Sequence, residues 1–438
     1  MAASGSSSAI GVGLPFDDTD SFSSSNYWNA VSYDQFGNTV MRSPLNNPFP
    51  NGLVPLSAGS AGLATNLGNS ITTVMRNRPD ATVYNWNTGF QYEFPHGILA
   101  TADYVGSRGL HLISGNGGAS ANLNQLSLGQ IAQYGSSLLN QVPNPYVNAI
   151  TDPTAPFYGQ ATIPLWQALA EYPQYATGAP NGGAGISLMP LGDSIYHAVS
   201  LKLEKRLTSH FMTTASFTGG KVIGVGTGPY AYVLQSAGFQ DTKNINLDRS
   251  VDPQDVSRAF TWAMFYDLPI GHGRFISPGN RWMDLTVGGW TVNTVLSLST
   301  GTPIVTSGSF PNQSQFFSQR PDLVCDPSTG ALHTAQQWFT SNCFAAPASP
   351  YIAGTAPRTL SQVRADGIHN LDLSLFKNFR FTEQMNVQFR AEFFNFTNSV
   401  QLGKPNANWN PNNLATFGQI TSAASTPRQV QFGVRFEF

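Results

Sequence analysis

Five charged residues, Asp248, Arg249, Asp252, Asp255 and Arg258, crowd one short stretch of an otherwise weakly charged chain. Carboxylates so placed could act as general acid and base, but that chemistry also needs a nucleophile or a held water and groups that orient it. None accompanies them, so a charge network at a channel mouth is expected and no enzymatic activity. The glycine-rich stretch Phe217 to Tyr230 (FTGGKVIGVGTGPY) invites a nucleotide reading and fails it. Lys221 is followed by Val222 where a phosphate loop carries Ser or Thr for magnesium, and Gly224, Gly226 and Gly228 miss the dinucleotide spacing. His96, His111, His197, His210, His272, His333 and His369 are scattered without the paired spacing of a zinc site, so they read as turn or surface residues and no metal or cofactor is expected. The two cysteines, Cys325 and Cys343, share one loop-like stretch. An extracytoplasmic disulfide is favoured, worth about 3 kcal/mol for a loop of that size, with two unpaired thiols as the alternative.

The elements that position these residues are set by composition and period. Charged residues make up 11% of the 438 residues, well below the roughly 25% of a soluble globular chain. Uncharged polar residues replace them, since hydrophobics are an ordinary 41% and aromatics are raised to 12%. No run of about eighteen apolar residues exists, which removes a helical membrane span. A formal net charge of −2 argues against a nucleic-acid partner. The start, AASGSSSAIGVGLPFDDTD after Met1, has neither basic nor apolar region of a signal peptide, so a fragment of a longer coding sequence is expected.

Period two decides the class. Val430 to Phe438 alternates strictly, as does Met385 to Phe393, and Trp86 to Phe94 and Phe260 to Leu268 nearly so. Extending this reading predicts nine strands, near 82–94, 97–106, 194–206, 210–221, 256–268, 285–299, 368–379, 385–397 and 427–438. Most exceed ten residues, the length a tilted strand needs to cross a bilayer. Connections alternate between short ones (95–97, 208–209, 269–284, 380–383) and long ones (107–193, 222–255, 300–367, 398–426), the pattern of an outer-membrane barrel. The fold class is therefore all-β: part of an antiparallel transmembrane β-barrel, residues 81–438, preceded by a loop and approach segment, residues 1–80. With the long loops extracellular, the ninth strand ends on the periplasmic side. Trp86, Tyr92, Phe94, Leu201, Trp262 and Leu371 then face lipid. Lys202, Glu204, Arg206, Asp372, Arg390, Glu392, Arg435 and Glu437 face the lumen, as cross-strand pairs. A soluble sandwich with one wet face also alternates and is the competing fold.

The segments NPFPNGL (Asn47 to Leu53), YNWNTGFQYEF (Tyr84 to Phe94), DYVGSRGLHL (Asp103 to Leu112), QVPNPY (Gln141 to Tyr146), YHAVSLKLEKR (Tyr196 to Arg206), NLDLSLFKNFRF (Asn370 to Phe381), FRAEFFNFTN (Phe389 to Asn398) and the terminal PRQVQFGVRFEF follow in order. Together they resemble the barrel of Oar-like TonB-dependent outer-membrane transporters across nearly the whole chain. The resemblance implies a barrel of about 22 strands, of which this chain matches about the last nine. The plug domain, through which coupling to TonB acts, and the first strands have no counterpart here. It further implies that Phe432, Val434, Phe436 and Phe438 form the signal read by the barrel-assembly machinery, and that the long loops contact an unidentified extracellular ligand.

The stretch Gly109 to Leu201 holds no Lys or Arg, and Asp152, Glu171 and Asp193 are its only acids. Such a neutral surface suits an uncharged ligand or packing over the barrel mouth, of which packing is favoured. Short helices are expected near 126–139 and 163–170. A passive porin-like channel, a surface-interaction barrel and a secreted all-β adhesin are the alternatives to the transporter.

Overall fold

The computed structural model describes residues 32–33, 39–40, 64–113, 121–180, 182–187, 189–208, 210–225, 239–380 and 385–438. Most of the expected 1–80 approach segment, and the tip of the glycine-rich stretch at 226–230, lie outside the described residues. The chain divides into two compact units: one of residues 1–78, 119–126 and 136–189, the other of 79–118, 127–135 and 190–438.

The second unit is built on one sheet. Its long strands are β1 (Thr82–Phe94), β2 (Ile98–Leu112), β3 (Gly192–Thr208), β4 (Phe211–Val225), β5 (Arg258–Asp267), β6 (Trp290–Ser299), β7 (Ile368–Arg380), β8 (Asn386–Phe394) and β9 (Gln429–Glu437). Each pairs antiparallel with its neighbours in sequence, so the nine form a single meander from β1 to β9. Among the described residues no further strand pairs with the free edge of β1 or of β9. No helix there is long and apolar enough to cross a membrane.

Register carries the two-faced character through the whole sheet. Tyr92, Ala100, Leu203, Ala215, Trp262, Leu296 and Leu371 stand opposite one another across seven strands. One residue along each strand, the partners are Gln91, Thr101, Lys202, Ser216, Thr261, Ser297 and Asn370, polar without exception. A slip of one residue in any strand would place its apolar side chains on the polar face, so the pattern excludes every odd slip and leaves the rest of the register to turns and bulges. On β1 the apolar side chains are not buried against other protein: Phe90 is 81% exposed and Tyr92 64%.

Glycines in the sheet admit large rings. The indole of Trp86 on β1 covers Gly106 on β2, where a Cβ would collide with it, and meets the His197 ring of β3 edge-on at 5.9 Å. His197 Nδ1 in turn lies 2.7 Å from the Tyr104 hydroxyl. Gly106→Val is expected to displace the indole and cost about 1–3 kcal/mol through overpacking. Urea unfolding of the folded chain in micelles reads the cost, and a red shift of tryptophan emission reads the displacement.

The strands match the sequence expectation except at their ends and at one start. β2 and β4 run six and four residues further than alternation suggested, to Leu112 and Val225. The strand expected from 285 begins at Trp290, because residues 281–287 are helical. Asn280 caps this helix by accepting a hydrogen bond from Met283 N at 2.7 Å, and Gly288 and Gly289 end it. The connection expected to be comparatively short is therefore a folded excursion. At the β1–β2 turn, His96 and Gly97 both take left-handed φ (67° and 68°), which suits a tight hairpin.

Helix α1 (Leu128–Tyr134) begins on a capping box between Ser127 and Gln130 and continues as a 3-10 turn, Gly135–Leu139. In the first unit, α2 (Leu165–Ala168) is shorter than the 163–170 expected. That unit buries Ile150, Phe157, Ile163, Trp166 and Tyr175, with the Phe157 and Trp166 rings 6.4 Å apart. Buried amides close its irregular backbone. Asn124 Nδ2 donates to the carbonyls of Tyr172 (3.0 Å) and Tyr175 (3.1 Å) while its Oδ1 accepts from Tyr172 N (2.9 Å). Gln167 does the same work at Pro173 and Tyr175. Neutral amides thus supply the hydrogen bonds that a buried loop needs.

Candidate functional site

Two places concentrate polar side chains: the polar face of the sheet and the long-loop end of the same unit. On the face, Lys202 bonds Glu204 at 2.8 Å and Arg435 bonds Glu437 at 3.0 Å. These pairs run along one strand, two residues apart, and correct the expectation of cross-strand pairs. The register explains it: Lys202 stands opposite Thr101 and Ser216, and Arg435 opposite Gln388, so no opposite charge faces them across the ladder. Arg390 lies over the Phe376 ring at 4.9 Å and donates from Nε to Gln388 at 2.6 Å. Asp372 accepts from Asn395 N at 2.8 Å, and Glu392 stands opposite Ser374 and Gln431. The side chain of Arg206 lies outside the described residues. Phe432, Val434 and Phe436 share the apolar face, opposite Ala391, Phe389 and Val387, and Phe438 follows the strand fully exposed.

At the other end two long loops fold together. Ile304, Trp338, Phe339, Phe344, Leu360 and Val363 from one loop bury a common core with Trp409, Phe417 and Ile420 from the other. The three phenylalanines 339, 344 and 417 meet at 5.0–5.8 Å between ring centres. Cys325 and Cys343 are joined, and Cys343 is buried in this core. The disulfide stitches the cap, so reducing it is expected to cost about 2–5 kcal/mol of cap stability. Limited proteolysis with and without reductant checks this: cleavage should accelerate within 320–345 and leave the strands intact.

The charge-dense stretch at 248–258 is not a mutual cluster. Three of its charges reach residues far along the chain, while the Asp252 carboxylate accepts locally from Gln254 N at 2.9 Å. Asp248 bonds the guanidinium of Arg320, both fully buried. Asp255 bonds Arg364 at 2.5 Å and accepts from Val222 N at 2.7 Å. Arg249 and Arg108 both hold Asp193, at 2.7 and 3.1 Å. Arg358, also buried, donates to Ser250 Oγ and Gly224 O at 3.3 Å each. Burial pulls the Arg320 and Arg358 guanidiniums below the ordinary arginine range, while Asp248 opposes the shift at both. Arg320, Arg358 and Arg364 went unremarked in the sequence. The available signal was their rarity: in a loop of more than sixty residues they are the only cations besides one histidine.

A cleft of about 290 Å³ opens on the cap, lined in part by Ile304, Ser307, Lys404, Asn406 and Asn408. Asn408 Nδ2 donates to Ser309 Oγ at 2.9 Å beside it. Its polar lining offers two side-chain amides, a hydroxyl and the Lys404 ammonium. Among the described residues no group of three or more His, Cys, Asp or Glu could hold a metal ion.

A one-way meander of long strands, apolar on one face, polar on the other and bearing its large loops at one end, defines the wall of a transmembrane β-barrel. The chain belongs to the outer membrane beta barrel domain family, whose model matches residues 4–431, and its place is the outer membrane. No curated protein matches the chain by sequence. Among solved structures it is similar to the outer membrane transporter YddB from Escherichia coli, at 11% identity and a TM-score of 0.38 over 85% of this chain and 35% of that one. It is also similar to the copper transporter OprC (10%, 0.31, 82% and 32%) and to the ferripyoverdine receptor of Pseudomonas aeruginosa (9%, 0.32, 82% and 27%). The chain spans about a third or less of the length of these proteins.

Proposed function

We propose that the chain supplies wall, lumen lining and extracellular cap to a larger, Oar-like TonB-dependent transporter. The observation that carries this reading is the sheet itself: among the described residues, nine membrane-length strands with two free edges, in a barrel-domain family. A free edge in a bilayer leaves backbone groups without partners, so further strands must complete the ring. The polar face lines the lumen, the folded loops lie outside the cell, and the short connections face the periplasm. A plug domain elsewhere in the complete protein couples to TonB, and the barrel-assembly machinery reads the strand ending at Phe438. The mechanism is binding and passage without bond chemistry: the cap takes an extracellular ligand through its amide-lined cleft and the polar face conducts it.

Reading the coding sequence upstream of Met1 and measuring liposome swelling with sugars of graded size test this together. An in-frame plug-encoding segment, and no swelling from the purified chain alone, support the transporter. Swelling by the chain alone, with a stop codon directly upstream, overturns it in favour of a passive channel.

A further inference from the structure

The connection between β5 and β6 carries a helix, α3 (Arg281–Val287), whose surface does not suit water. Trp282 is 79% exposed, and Met283 and Val287 are exposed beside it. Helical spacing puts Trp282, Met283, Thr286 and Val287 on one face and Asp284 and Leu285 on the other. Thr286 does not interrupt the apolar face, because its hydroxyl donates back to the Met283 and Trp282 carbonyls at 2.9 and 3.2 Å. In the preceding turn Phe275 is 93% exposed and Ile276 is also exposed.

The second face of α3 is committed inward. Asp284 Oδ1 accepts from His272 N at 2.7 Å, and Asp284 and Leu285 wall a cavity of about 490 Å³ together with Thr291, Phe376, Asn378 and Gln388. Those four belong to the polar face of β6, β7 and β8, so the exposed face of α3 points away from it. The helix also joins the apolar face directly. It runs through Gly288 and Gly289 into Trp290, which shares its row with Phe389 and Val434, and Trp290 Nε1 donates to Thr286 O at 3.0 Å. Lys377, in the same row, donates to Gly288 O and lies over the Trp290 and Phe379 rings at 5.8 and 5.0 Å.

We propose that α3 is an interfacial anchor, lying in the headgroup–acyl boundary of the periplasmic phospholipid leaflet as an extension of the lipid-facing wall. Trp282, Met283, Val287 and Phe275 enter the acyl side, and the exposed Arg281 meets anionic phosphates. Continuity with the apolar face selects lipid as the occupant. The proposal rests on the transmembrane reading of the sheet and on the short connections facing the periplasm.

The test is a single thiol. Cys325 and Cys343 are bridged and no other cysteine exists, so Met283→Cys takes one fluorescent label selectively, and Leu201→Cys in the middle of the apolar face serves as reference. Heat-modifiable mobility verifies that each variant folds. In phospholipid bilayers, a quencher on the lipid chains near the headgroups is expected to dim the label at 283 several-fold more than iodide in the water does. Quenching by iodide alone overturns the anchor, and so does protection from both quenchers, which would mean that a protein segment covers the face. If the label at 201 escapes a second quencher carried deep on the lipid chains, the membrane reading itself fails; if 201 is dimmed by the deep quencher and 283 escapes the shallow one, only the anchor does.

Discussion

Asp248→Asn is expected to open the loop cap while leaving the strands inserted. The carboxylate and its partner Arg320 are 0% and 1% exposed, so removing the negative charge leaves a guanidinium in a site from which water is excluded. Breaking a buried pair from one side costs about 3–5 kcal/mol, because the remaining charge has lost its compensation. The cost is raised by Arg358, a second buried cation that also depends on Asp248. The Asp248→Leu, Arg320→Met double variant removes both charges and is expected to recover part of the loss, since apolar replacements of buried pairs are often neutral but Arg358 still lacks its carboxylate. Hydrogen exchange across 300–367 reads the opening, and heat-modifiable mobility controls for the sheet. By contrast Arg435→Gln, which breaks the exposed pair with Glu437, should cost under about 1 kcal/mol. Normal protection of the cap in Asp248→Asn would mean that its aromatic core holds it unaided.

Such a pair shows why some of this molecule was legible in the sequence and some was not. Alternation is a local property, written within nine residues of Val430 to Phe438, and the strands it predicts are present with apolar and polar side chains in alternate register positions. The partner of Asp248 lies 72 residues away, and no local pattern marks it. The cap has the same difficulty. Trp338, Phe339 and Phe344 lie on irregular backbone, and Trp409 and Phe417 reach them from another loop, so no period exists to read. Their apolar content was visible, but without periodicity it could not be told from lipid-facing surface. The helix at Arg281–Val287 was hidden for another reason. It merges through two glycines into the apolar start of β6, and a single helical turn or two offers too few positions to separate period 3.6 from period 2. The rows of opposed side chains across seven strands emerged only from the register, which depends on turns and bulges rather than on any one strand.

The largest effect on the membrane wall is expected from Leu201→Arg. Leu201 lies midway along β3, with Ala102 and Phe217 as its cross-strand partners on the apolar face. An arginine facing lipid near the midplane costs about 2–4 kcal/mol. At the neighbouring position Ser200→Arg presents the same side chain to the polar face, opposite Asp103 and Thr218, where water and a carboxylate receive it. That substitution should be close to neutral or slightly favourable. The two variants differ by one residue of register and share their strand, their distance from the strand ends and their added charge. Any difference between them therefore measures which face meets lipid. Urea titration of folded protein in bilayers, scored by heat-modifiable mobility, should show a clear loss for Leu201→Arg and little change for Ser200→Arg. Equal losses would place the same solvent on both faces and return the sheet to a water-soluble sandwich. A loss confined to Ser200→Arg would invert the wall, putting Lys202 and Glu204 against lipid, which their charge forbids unless the strand pairing itself is wrong.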